Sequence, residues 1–247
     1  MKTPLAYLLL VLFLLSCNDN DKLTLEPIGF DIGPCTDCPE VFIEIPNAMG
    51  DSKMENVINN ALEEEVISLL TFDDEKNPTT IDKAIQSFKN GFLEIKKLYP
   101  DETVTWEAKI EGRVTYEDVN MLTIMLEAYL FTGGAHGYST NRFLNFDKKK
   151  NDELEDWELF ESKKDFKRFA ETKFRIQENI PQDDPINSTG FMFEKNEFYL
   201  PENIGFTQEG IQLLYNQYEV ASYADGTIVL ILPFNEVKNY LSTKIKS

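Results

Sequence analysis

One histidine, three cysteines and 43 carboxylates in 247 residues bound the chemistry open to this chain. The histidine, His136, stands in Gly133-Gly134-Ala135-His136-Gly137, where glycines permit positive φ and a tight turn. Its imidazole could be a base, a ligand or a contact; alternatively it fills the edge of a strand-to-strand turn. A Ser-His-Asp or a Cys-His site would each need this one ring, and no Gly-x-Ser-x-Gly turn accompanies it. The turn is therefore read as architecture, and no catalytic residue is assigned. Cys35 and Cys38 bracket Thr36-Asp37, a spacing that metal sites use. Tetrahedral zinc would need further Cys or His ligands, so no metal and no cofactor are expected. A redox pair opens a helix in a thioredoxin-like unit, whereas this pair follows Gly33-Pro34 and precedes Pro39. A local disulfide is the simplest reading in an oxidising compartment. The carboxylates offer many acid-base pairs for glycoside hydrolysis, and nothing in their spacing selects one.

The third cysteine supplies an address. Leu5 to Leu15 is an apolar run too short to span a bilayer, and it leads through Ser16 into Cys17. That arrangement resembles a bacterial lipobox, which implies a signal peptide over residues 1–16 and lipid chains on Cys17. Membrane contact is then expected through that N-terminal lipid, in the cell envelope, with the outer membrane favoured and the domain facing periplasm or surface. Residues 17–40 are polar and loosely patterned, a tether reaching on the order of 25 Å if flexible. The formal charge of −19 argues against nucleic acid as a partner and favours cationic ones.

Elements able to position these residues follow from periodicity. Alternation and a closing proline predict a strand over 41–46. Met54, Val57, Ile58, Ala61, Leu62, Val66 and Leu69 recur at helical spacing, and so do Ile81, Ile85, Phe88, Phe92 and Ile95 before Pro100. From Val104 the period becomes two, giving a strand to Tyr116 with Gly112 as a bulge or bend. Strands over 119–131 and 138–146 complete a meander. A helix over 166–177, short strands near 198–200, 211–215 and 227–232, and a last amphipathic helix after Pro233 end the chain. Expected fold class is α+β: an antiparallel meander with helices packed on one side, in two adjoining subdomains, residues 41–135 and 136–247. Trp106 falls on the apolar face of a strand. Trp157 falls in a polar turn and is the candidate binding contact.

Several ordered blocks resemble a known envelope family. Phe131-Thr132-Gly133-Gly134-Ala135-His136-Gly137, Asn145-Phe146-Asp147 and Leu159-Phe160 are followed by Phe206-Thr207-Gln208-Glu209-Gly210-Ile211, Tyr218-Glu219-Val220 and Pro233-Phe234-Asn235-Glu236-Val237. Together, over residues 41–242, they resemble the ectodomain of RsiV-type anti-sigma factors. There a PdaC-like domain runs into DUF3298, a domain of unknown function. The resemblance implies a module that binds a protein, lysozyme, and a PdaC-like assignment for 41–135 with an RsiV-like one for 136–247. This chain shows no membrane-spanning segment between two such halves, so proteolytic signalling is not carried over. The expectation is a lipid-anchored binding module without catalysis, taking a cationic protein such as lysozyme. Two alternatives are an envelope glycan hydrolase using paired carboxylates and an envelope assembly factor. Replacement Cys17→Ser is expected to abolish metabolic lipid labelling and to move the protein out of the membrane fraction. Continued labelling and membrane partition would refute the anchor.

Overall fold

A computed structural model describes residues 23–33, 35–71, 77–101 and 104–242; Cys17 and the signal segment lie outside the described residues. Among the described residues, nine strands form two sheets and four α-helices accompany them. Strands β1 (Leu25–Asp31), β2 (Glu40–Ala48), β3 (Glu107–Glu117), β4 (Met121–Phe131), β5 (Tyr138–Asp147) and β6 (Asp152–Leu154) form one sheet in that order. Strands β7 (Asn203–Phe206), β8 (Gly210–Tyr215) and β9 (Ile228–Pro233) form the other. The mixed α+β architecture and the β3 to β5 meander agree with the sequence reading, and β6 extends that meander by a strand the sequence reading did not contain. One ladder differs: β2 runs parallel to β3. Two helices, α1 (Lys53–Leu70) and α2 (Ile81–Leu98), intervene between those strands, and a crossover of that length returns the chain in the same direction.

Local chemistry explains where the helices begin. Ser52 and Glu55 cap α1 reciprocally: the Ser52 amide donates to Glu55 Oε2 at 2.6 Å, and the Glu55 amide donates to Ser52 Oγ. Thr80 caps α2 by accepting from the Lys83 amide. Their apolar stripes, including Ile58, Leu62, Val66, Ile85 and Phe88, pack with Ile43, Ile110, Ile124 and Leu126 of the large sheet in one core.

Three features depart from the expectations. Leu25–Asp31, inside the stretch read as tether, is an edge strand paired antiparallel with β2. Leu25 and Phe30 pack on the core, while Pro27 suits an edge position. Gly112 is not the bulge, because the register shift falls between Val114 and Tyr116. Gly112 is instead a close approach, since a Cβ there would lie 2.8 Å from Pro46 Cδ and 3.3 Å from Ile45 Cα. Residues 198–200 are not a strand; β7 begins at Asn203.

Strand β4 explains how the layers stack. Met121 to Leu126 are buried without alternation, because both faces of the strand are covered. Leu122, Ile124 and Leu126 face the α1–α2 core. Met125 instead packs with Phe143 of β5 and Leu214 of β8, where the small sheet lies over the large one. On its far side the small sheet packs on α3 (Lys163–Gln177), through Phe166, Ala170 and Phe174 against Leu213 and Tyr215. The one-turn helix α4 (Phe234–Val237) closes that second core through Val237.

Contact between the sheets is close enough to demand glycine at one position. A Cβ on Gly205 of β7 would overlap the Phe143 ring. Gly205→Ala is expected to lower unfolding free energy by about 1–3 kcal/mol, as overpacking does, in urea denaturation. The double variant Gly205→Ala/Phe143→Leu should recover part of that loss; equal stability of Gly205→Ala and wild type would contradict this packing.

Candidate functional site

The predicted site residues fall in three places. Gly133 and Gly134, at φ of 99° and 89°, make the turn between β4 and β5, in conformations that favour glycine. Gly137 is buried against the Tyr129 ring, leaving no room for a Cβ. His136 is exposed; its ring stacks on Tyr223 with centroids 4.1 Å apart, and Nδ1 donates to the Gly137 carbonyl at 3.1 Å. Tyr223 in turn meets Tyr218 at 5.6 Å. Cys35 and Cys38 are disulfide-linked, their Cα atoms 5.8 Å apart, in the loop between β1 and β2. Among the described residues no three His, Cys, Asp or Glu side chains gather as metal ligands.

Trp157 marks the third place. It sits in a single 3-10 turn, Asp156–Leu159, that follows β6, and it is 58% exposed. At its start the Glu155 amide donates to Glu158 Oε2 at 3.1 Å, and the Glu158 amide donates to the Glu155 carbonyl at 2.8 Å. The Trp157 ring lines a cleft of about 1130 Å³ bounded by the end of α1, by β4 and β5, and by the loops entering β7 and leaving β8. Tyr138 and Tyr218, 46% and 56% exposed, line it as well.

The wall of the cleft is acidic. Glu65, Glu155, Asp156, Glu202 and Glu219 face only two cations, Arg142 and Lys163. Arg142 is engaged: its Nε lies 3.3 Å from Glu65 Oε1, and its NH1 donates to the Glu202 carbonyl at 3.1 Å. The polar groups below are largely committed to holding backbone. Asn216 accepts from the Asn141 amide at 2.8 Å and donates to the Asn141 carbonyl at 3.0 Å, joining β5 to the loop after β8. The Tyr199 hydroxyl donates to the Glu219 carbonyl at 2.9 Å. Asn203 differs from these: it is 5% exposed, and its Oδ1 is buried with no hydrogen-bond partner.

Burial controls protonation here. Removal from water pushes the Asp156 carboxyl up to about 7, against the opposing pull of Arg142 and of the Ile204 amide. Burial likewise raises Glu219, although the amides of Asn216 and Glu202 favour its ionised form. Glu153, beside Glu65, Glu155 and Glu64, is raised for the same first reason, and Arg142 again opposes. Carboxyls held this way lose stability on ionising unless a cation joins them. Sequence spacing could not show this group, because its members come from α1, β6, the 3-10 turn and two loops. Only the exposed tryptophan within a polar turn was a signal.

Comparison with known proteins places the chain. Residues 34–139 match the family model described as Deacetylase PdaC, and residues 144–235 match Protein of unknown function (DUF3298). The first match ends and the second begins inside β5, so the two segments share a strand. A solved DUF3298 family structure from Bacteroides fragilis superposes with a TM-score of 0.68 at 17% identity, covering 90% of this chain and 95% of that one. Another, from Pseudomonas aeruginosa, gives 0.62 at 19% identity, covering 90% and 94%. Likeness at that identity shows a common fold. No curated protein matches.

Asp156 makes a pH test possible. Its folded carboxyl titrates near 7, above the ordinary value of 3.8, so the folded state holds the proton more tightly than the unfolded chain. That contribution to stability is complete below the unfolded value and is lost as pH rises towards about 7. Asp156→Asn is therefore expected to raise the melting temperature at pH 8 by roughly 3–6 °C, with a smaller gain at pH 5 and none at pH 3.5. A gain independent of pH, or a loss at pH 8, would contradict the burial of this carboxyl.

Proposed function

We propose that this chain, in which a PdaC-type segment runs directly into a DUF3298 segment, is a binding module anchored by lipid to the bacterial cell envelope, and that it captures a cationic protein. The observation that carries the reading is the cleft between the two sheets. It joins exposed Trp157 and Tyr218 to carboxylates that outnumber cations five to two. Aromatic rings with one face open supply contact area at little entropic cost, and a surplus of carboxylate selects for positive charge. A net charge of −19 adds a long-range field of the same sign, which speeds encounter with basic partners. Lysozyme-like peptidoglycan hydrolases have the required basic surface, and the family resemblance suggests them.

The anchor follows from Cys17 and its preceding apolar run. Among the described residues no helix is long and apolar enough to cross a membrane, which accords with tethering by lipid. A second reading draws on Asp156, whose carboxyl keeps a proton near neutral pH and so has the property of a general acid in glycan hydrolysis. Release of soluble sugar from peptidoglycan by the wild type, lost in Asp156→Asn, would favour that reading over simple capture.

Binding kinetics test the main reading. The full chain in detergent, immobilised, is exposed to a basic lysozyme and to an acidic protein of similar size over a salt series. Steering between unlike charges is screened beyond about 8 Å at physiological ionic strength. Association should slow by roughly tenfold or more between 20 and 300 mM salt, with dissociation changing far less. Absence of binding at low salt, or equal binding of both proteins, would remove lysozyme as the partner.

A further inference from the structure

The cleft also specifies what kind of side chain it can receive, given its reading as the docking surface for a cationic protein. Several of its donors are committed within the fold: Arg142 NH1 to the Glu202 carbonyl, the Tyr199 hydroxyl to the Glu219 carbonyl, and the Asn216 amide to the Asn141 carbonyl. Carboxylates outnumber cations along its wall. Asp156 and Glu219 contribute carboxylates, and the Oδ1 of Asn203, the Oε1 atoms of Gln217 and Glu219, and the Nε of Arg142 are buried without a hydrogen-bond partner. A glycan hydroxyl must accept as well as donate, and it carries no charge to meet the carboxylates. A cation able to stack on the open indole is the better complement.

We infer that the cleft seats an arginine side chain of the partner, its guanidinium facing the carboxylates of Asp156 and Glu219 and stacked on the exposed ring of Trp157. Arginine brings a positive charge and five N–H donors in a plane, which matches a surplus of carboxylate oxygens better than any other side chain. Its plane stacks on indole, and it is more weakly hydrated than an ammonium, so entry into a partly buried cleft costs it less. The guanidinium would restore the ionised form of Asp156, whose burial alone disfavours that form. Lysine fits less well, being a strongly hydrated point charge that cannot stack.

Two probes separate this inference from the identity of the partner. Of two tryptophans, Trp106 is 3% exposed and Trp157 is 58% exposed, so indole fluorescence reports on the cleft. Full chain in detergent is titrated with acetyl-Gly-Arg-Gly-amide, with its lysine counterpart and with its uncharged citrulline counterpart. Saturable change is expected with arginine, roughly tenfold weaker with lysine and absent with citrulline. Asp156→Asn should weaken the arginine peptide roughly tenfold or more while raising stability at pH 8, so the loss cannot come from misfolding. For basic lysozyme, Trp157→Ala should speed dissociation roughly tenfold, whereas Glu26→Gln on strand β1 should leave it unchanged. If the arginine peptide binds and lysozyme does not, the cleft inference stands and lysozyme is the wrong partner. If the arginine and citrulline peptides behave alike, or if Asp156→Asn binds arginine as wild type does, the inference is overturned, whatever lysozyme does.

Discussion

A buried amide, Asn145 of β5, joins the two sheets, and the rest of the molecule is arranged around that junction. Its Nδ2 donates to the Ile204 carbonyl of β7 at 2.7 Å, while its Oδ1 accepts from Thr123 of β4 at 2.9 Å. Asn145 is 1% exposed and Thr123 is 0%, so neither can turn to water for a substitute. Leaving one such group unpaired costs about 1–3 kcal/mol, and a sheet slipped by one residue would unpair several at once. Thr115 adds a parallel tie, donating to the Phe206 carbonyl at 2.8 Å. Apolar contacts of Met125, Phe143 and Leu214 hold the layers together, and these polar bonds set their register.

Register in turn creates the cleft. Once β7 is pinned over β5, the loop entering β7 and the loop leaving β8 come down beside the 3-10 turn that follows β6. Ile204 is central to this arrangement: its carbonyl accepts from Asn145 and its amide lies on Asp156. The junction of the sheets and the most perturbed carboxyl of the cleft therefore meet at the two backbone polar groups of one residue, Ile204. That connection explains how Asp156 is kept out of water while Trp157, its neighbour in the chain, remains exposed.

A carboxyl placed in this way opposes stability at neutral pH, and so does the unpartnered oxygen of Asn203. Folded proteins tolerate such features where binding offsets them, and the two occur within one cleft here. The field of the whole chain and the cleft then act at different ranges. On the proposed binding reading, net charge governs how often a basic partner arrives and is weakened by salt, while desolvated carboxylates and an open indole govern how long it stays.

How much of this was legible follows the range of the interactions involved. Helices α1 and α2 and the strands from β3 to β5 are written in local periodicity: Met54 to Leu69 at helical spacing, Trp106 to Ile110 at alternate positions. Capping by Ser52 and Thr80 is equally local. The glycine turn before His136 was recognisable because Gly133 and Gly134 have few other uses in adjacent positions. Strand β1 was not legible, since Pro27 and Gly29 look like tether until Phe42 to Ala48 is present to pair with them. Gly112 and Gly205 carried no local mark of their roles, because the atoms that crowd them belong to other strands. The acidic cleft depended most on the tertiary structure. With 43 carboxylates in the chain, only the stacking of one sheet on the other decides which few are taken from water and gathered around Trp157. Sequence by itself determined most of the elements and the sign of the charge, because each depends on neighbouring residues or on sums. Burial and the meeting of distant groups depend on long-range packing, and these only the folded chain decided.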